Sequence, residues 1–165
     1  MATALLITRE DLVQITVVGG NVDSDKYLQN LKFAQDAKLR NIIGDDLLDK
    51  LEADVIAGSL TGDYLAFVNK YVKNYLTYAA ASDYIITAAY DVTNGGVNRY
   101  SPDNGTQATV EEINLLTEKT EDKANHYGQA MIKYLDKNKS LFPEYTGSST
   151  DSNFNGWQLD SSYGC

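Results

Sequence analysis

The stretch AQDAKLRNIIGDDLLDKL, residues 34–51, decides how the chain is read, because it sets two helices on either side of one glycine. Leu28, Leu31, Gln35, Leu39 and Ile42 recur at steps of three and four, the spacing of one face of a helix. Gly44 suits the residue just past that helix, where a positive φ closes the last turn. Asp45 or Asp46 then caps a following helix over residues 47–57. Together with Asp49 these acids also spell DDxxD, a pattern by which some metal-dependent enzymes hold magnesium and a diphosphate. Carboxylates at a helix start accept backbone N–H bonds and meet the positive end of the dipole, so they have a structural cause without a metal. A magnesium site would need a second acidic motif and a cluster of Lys or Arg for the phosphates, and the sequence shows no such partner motif and no basic cluster beside this one. The expectation is a helix junction, with no catalytic residue, cofactor or metal.

Two polar residues in the stretch carry further expectations. Gln35 interrupts the apolar stripe, so it either satisfies a neighbouring backbone group or meets another chain. Asp36 and Arg40, four apart, read as a solvated ion pair.

Outward from the junction the chain keeps a helical rhythm. Thr8-Arg9-Glu10-Asp11 resembles a capping box, with Leu12, Ile15 and Val18 behind it, so a short helix starts at Arg9 and stops at Gly19-Gly20. Asp23 or Ser24 caps the next. Asp63 caps a long helix over residues 64–91, about 40 Å at 1.5 Å per residue, with Tyr64, Val68, Tyr71, Tyr75 and Tyr78 on one face. Its second half, LTYAAASDYIITAAYD, is apolar or small nearly all round and should let another helix come close. Thr109-Val110-Glu111-Glu112 is a full capping box for a last helix to about Lys139. Ile113, Leu116, Thr120, Ala124, Tyr127, Met131 and Tyr134 should face inward on it.

The resulting fold class is all-α: a small bundle built on two long antiparallel helices. Residues 1–145 form the helical domain and residues 146–165 an extended tail. Between the long helices, residues 93–108 make a loop rich in Asn-Gly and Pro turn signals, longer than an ordinary connection. A short β-hairpin with residues 97–100 as one arm fits there, and Val97, Arg99 and Tyr100 are its candidate partner contacts. In the serine-rich tail, Phe154, Trp157, Leu159 and Tyr163 are candidate anchors, either for a partner or for the tail's own domain.

Composition narrows function by exclusion. The 165 residues suit one domain, and no apolar run approaches the length of a membrane span. Residues 1–18 contain acids and lack the layout of a secretion signal, so the chain is expected to stay in the cell that makes it. Fourteen Lys and Arg against 23 Asp and Glu give a formal charge of −9, with the basic residues scattered. That opposes grip on a phosphate backbone. The lone histidine, His126, has no serine elbow to serve, and the lone cysteine, Cys165, cannot form an intrachain disulfide. Twelve tyrosines against four phenylalanines suit surfaces that are covered only in part or only on assembly.

The layout resembles the helical head-tail connector proteins, also called adaptor or neck-ring proteins, of tailed bacteriophages, most nearly those of crAss-like phages. The matching parts are LITREDL, DSDKYLQNLKFAQDAKLRNIIGDDLLDKL, the tyrosine-rich helix, and KANHYGQAMIKYLDKNKSLFPEY before the polar tail, together covering residues 5–145. The resemblance implies a non-enzymatic ring, usually of twelve copies, beneath the portal protein. Such a ring is made in the bacterial host cytoplasm and built into the virion at the capsid–tail junction. Its partners would be itself, the portal and the next neck component, with DNA passing through the channel without specific binding and no membrane involved. Two rivals stand beside it: a soluble helical binding module of small fixed oligomeric state, and a magnesium-dependent enzyme using Asp45, Asp46 and Asp49.

Overall fold

The computed structural model describes residues 4–16, 24–93, 96–99 and 108–147. A short extended segment leads into α1 (Arg9–Ile15). The capping box there is reciprocal: Asp11 Oδ2 accepts from the Thr8 N–H at 2.9 Å, and the Asp11 N–H donates to Thr8 Oγ1 at 3.3 Å. Helix α2 begins over Ser24–Phe33, winds as a π-helix over Ala34–Leu39 and ends over Arg40–Ile43. After Gly44 comes α3 (Asp45–Ala57). The central helix, α4, covers Gly62–Phe67, a second π stretch at Val68–Val72 and Lys73–Ala88. Strands β1 (Tyr90–Thr93) and β2 (Gly96–Arg99) pair antiparallel, Val92 opposite Val97, before α5 (Val110–Lys137) and a 3-10 turn at Lys139–Leu141. The chain is all-α in class, with this one small hairpin among the described residues.

Helices α4 and α5 run antiparallel, because residue numbers rise along one as they fall along the other. Tyr71 stacks on Tyr134 with centroids 4.7 Å apart, and Tyr78 on Tyr127 at 5.7 Å. Between these pairs Gly128 lets the helices approach: a Cβ there would lie 3.2 Å from the Tyr75 ring. Helix α2 crosses the small-residue half of α4, with Tyr27 set edge-on against Tyr84 at 5.9 Å. The core joins Leu31, Leu39 and Ile43 of α2, Leu47, Leu48 and Leu51 of α3, Phe67, Val72 and Leu76 of α4, and Met131 and Leu135 of α5. Burying each such side chain contributes about 1.5–3 kcal/mol relative to leaving it in water.

Several expectations need correction. Leu28 is exposed, and Tyr27 takes its inward place. Leu116 is exposed as well, whereas Gly128 and Leu135 are buried. The long helix stops at Ala88, because residues 90–93 leave it to pair in the hairpin. Thr61, not Asp63, precedes its first turn, without a side-chain cap bond. The last helix ends at Lys137.

Candidate functional site

At the acidic junction the geometry differs from the expected cap. Gly44, with φ of 86°, donates its N–H to the Arg40 carbonyl at 2.9 Å and so closes α2. The same glycine is the N-cap residue of α3, accepting from the Leu48 N–H at 3.3 Å. Neither Asp45 nor Asp46 makes a side-chain cap bond. Instead the Arg40 guanidinium reaches forward and donates to Asp45 Oδ1 at 2.9 Å and Asp49 Oδ1 at 3.2 Å. The hydrogen bond to Asp45, then that to Asp49, raises the Arg40 pKa above its ordinary value. A guanidinium satisfies two carboxylates here better than an i,i+4 pair with Asp36 would, because it ties both helices across the glycine. Among the described residues no group of three or more His, Cys, Asp or Glu side chains is placed to hold a metal ion.

Gln35 is fully buried and its amide is spent on the N-terminal segment. Its Oε1 accepts from the Leu6 N–H at 3.0 Å, while Nε2 donates to the Ala4 carbonyl at 2.7 Å and to Glu52 Oε1 at 2.8 Å. The side chain thus serves the backbone of residues 4–6 as a neighbouring strand would, and seats Leu6 and Ile7 in the core. Asp11 and Ile15 fix the rest of this arm, through Lys73 Nζ at 3.4 Å and the Tyr78 hydroxyl at 3.2 Å. Burial tends to raise the Asp11 carboxyl, but the hydrogen bonds from Thr8 and the Lys73 charge carry it below its ordinary value.

The chain leaves the two long helices at opposite ends of α4. The hairpin follows the C-terminal end of α4 directly, at Tyr90. The last described residues lie at its other end, where Tyr64 donates its hydroxyl to Glu144 Oε2 at 2.7 Å and packs edge-on against Phe142 at 5.2 Å. Burial, then the hydrogen bond to Glu144, pushes the Tyr64 phenol up to about 12. Thr146 and Gly147 continue from there to the junction and line a cavity of about 290 Å³ with Arg40, Asn41, Gly44, Asp45 and Asp46.

Val97 and Arg99 sit in β2, while Tyr100, Phe154, Trp157, Leu159 and Tyr163 lie outside the described residues, as do Val18 and Asp23. His126 is exposed on α5, its ring edge-on to Tyr127. No helix among the described residues is long and apolar enough to cross a membrane.

Among the described residues the architecture is a helical bundle with one small hairpin between its two long helices. The chain belongs to DUF6712, a family of unknown function, whose model matches residues 39–155. The match takes in the junction, both long helices, the hairpin and the first part of the tail. No curated protein and no solved structure matches the chain.

Proposed function

We propose that the protein is a non-enzymatic connector of a tailed bacteriophage. In this reading copies of the chain, twelve by the resemblance, form a ring under the portal, join capsid to tail and line the DNA channel. The observation that supports the reading is that the chain leaves the helix pair at opposite ends, into the hairpin after Ala88 and past Phe142 and Glu144 beside Tyr64. A bridging protein needs contacts above and below itself, and α4, about 40 Å long, has one of these exits at each end. The acid balance supports the same reading: copies at −9 each would repel DNA from the lumen wall and let it slide. Within the ring the hairpin and the tail are the arms that reach the portal, a neighbouring copy or the next neck component.

Mixing the purified protein with the portal of the same phage and imaging by electron microscopy tests this. Ring-shaped complexes stacked on the portal are expected. A dimer that persists and ignores the portal would overturn the connector reading in favour of a soluble binding module.

A further inference from the structure

A cleft of about 240 Å³ opens between the C-terminal end of α1 and the N-terminal half of α5, lined chiefly by Ile15, Tyr78, Leu116, Lys119, Thr120 and Lys123. The α5 residues fall at i, i+3, i+4 and i+7, one face of the helix. The polar groups of its floor are already engaged: the Tyr78 hydroxyl donates to the Ile15 carbonyl, and the Thr120 hydroxyl to the Leu116 carbonyl at 2.7 Å. Leu116 is 43% exposed, and Leu115 beside it 55%. Two ammonium groups stand at the rim. Lys123 lies 5.5 Å from the centroid of the Tyr78 ring, and Lys119 has only a solvated contact with Asp122 at 3.6 Å, worth little. Glu118 and Glu121 are exposed elsewhere on the same helix, and among the described residues no carboxylate lines the cleft. The result is an apolar slot with a cationic edge on a chain of net charge −9, smaller than the roughly 300–1,000 Å³ of most small-molecule sites. It has room for a single inserted side chain.

The chain itself contains an occupant of complementary chemistry. Residues 148–165 include Phe154, Trp157 and Leu159, carry Asp151 and Asp160, and have no Lys or Arg. We propose that in the free protein this tail folds back so that Trp157 enters the cleft, with Asp160 near Lys119 and Lys123. Reach permits this residue. Gly147, the last described residue, lies by Arg40, Asn41 and Gly44, and Ile42 in the same stretch meets α4 and α5 at Tyr75 and Gly128, about one turn of α4 from Tyr78 in the cleft. Ten residues separate Gly147 from Trp157 and span up to about 35 Å, enough to follow a curved surface. Attachment to the same chain also supplies an effective concentration in the millimolar range, so a modest contact suffices to keep the slot filled. This self-docking does not depend on the connector reading; in an assembly the same tail would be exchanged to a partner.

Trp157 is the sole tryptophan, so its fluorescence reports the tail alone in the full-length chain. Blue-shifted emission and weak acrylamide quenching are expected, independent of protein concentration in the dilute range. Leu116→Asp and the pair K119E/K123E, all at exposed positions, should restore solvent-like emission with the helical circular dichroism unchanged, whereas Phe154→Ala should leave the blue shift in place. Solvent-like emission in the wild type, or a blue shift that survives both cleft variants, would overturn the proposal. A shift that appears only as concentration rises would also overturn it, by assigning the cleft to a second copy's tail.

Discussion

The two ends of the α4–α5 pair are built from different materials. Near Tyr64 the helices are joined by rings: Phe67 lies 5.2 Å from Phe142 and 6.0 Å from Tyr134, with Tyr71 stacked alongside. Toward the hairpin the buried residues of the two helices are small, Ala79, Ala80, Ala81, Ser82, Thr120 and Ala124, and large apolar side chains such as Ile86, Leu115 and Leu116 stay exposed. Aromatic packing concentrates contact area in a few residues, whereas small residues bring the backbones close and leave little side chain to cover the flanks. One end therefore anchors the fold, and the other offers open surface.

The largest effect should follow from breaking the aromatic end. Phe67 is wholly buried and touches Tyr71, Tyr134 and Phe142, so Phe67→Ala removes the ring around which the others are arranged. A loss of about 3–5 kcal/mol is expected in urea unfolding followed by circular dichroism. A loss below about 1 kcal/mol would mean that the rings pack loosely and that the contrast between the ends is not energetic.

Where the two ends meet, Gly128 tests the close approach. Gly128→Val has to displace the Tyr75 ring, whose nearest atom would be 3.2 Å from the new Cβ, and overpacking of this kind costs about 1–3 kcal/mol. Gly128→Ala meets the same ring with less bulk and gains up to about 1 kcal/mol of helix propensity, so its net change should be near zero. Equal losses for the two variants would show that the glycine is needed for something other than space.

How much of this could be read from sequence varies with the physics of each feature. Both capping boxes were legible, because Thr8 with Asp11 and Thr109 with Glu112 satisfy backbone donors within a single turn. Gln35 was legible as an anomaly, and one of its two open readings, service to a backbone, is what the hydrogen bonds at Leu6 and Ala4 show. The π stretches at Ala34–Leu39 and Val68–Val72 were not, since one wider turn barely changes a short hydrophobic period. Tyr27 and Leu28 both lie about one turn before Leu31, at steps of four and three, so the spacing admits either, and the partner ring of Tyr84 settles that Tyr27 turns inward. Leu116 fits the inward period of α5, but the wall facing it on the α1 side leaves a cleft there rather than closing over the side chain. The hairpin's second arm was legible from the turn residues before it, whereas its first arm, Tyr90–Thr93, continues the apolar run of the helix and reads partly as helix; the tail's anchors have no periodicity from which a place could be read.

The smallest effect is expected at the acidic junction, beside the aromatic end but outside its core. Had Asp45 and Asp46 been helix caps, replacing both with alanine would cost on the order of 1–3 kcal/mol. The Gly44 backbone holds the cap position, and both aspartates are exposed, so the double variant loses only the Arg40–Asp45 contact and some favourable interaction with the helix dipole. Exposed pairs contribute about 0–1 kcal/mol, and Arg40 keeps Asp49 at 3.2 Å as its second partner. A loss of no more than about 1 kcal/mol is therefore expected. Gly44→Ala should cost at least as much although it removes no charge, because φ of 86° strains any residue with a Cβ. Calorimetric titration of the wild type with magnesium should show only weak binding, unchanged in the double variant. A stoichiometric magnesium site abolished by the double substitution would instead make DDxxD a ligand set and Arg40 its competitor, turning a junction into a reaction centre.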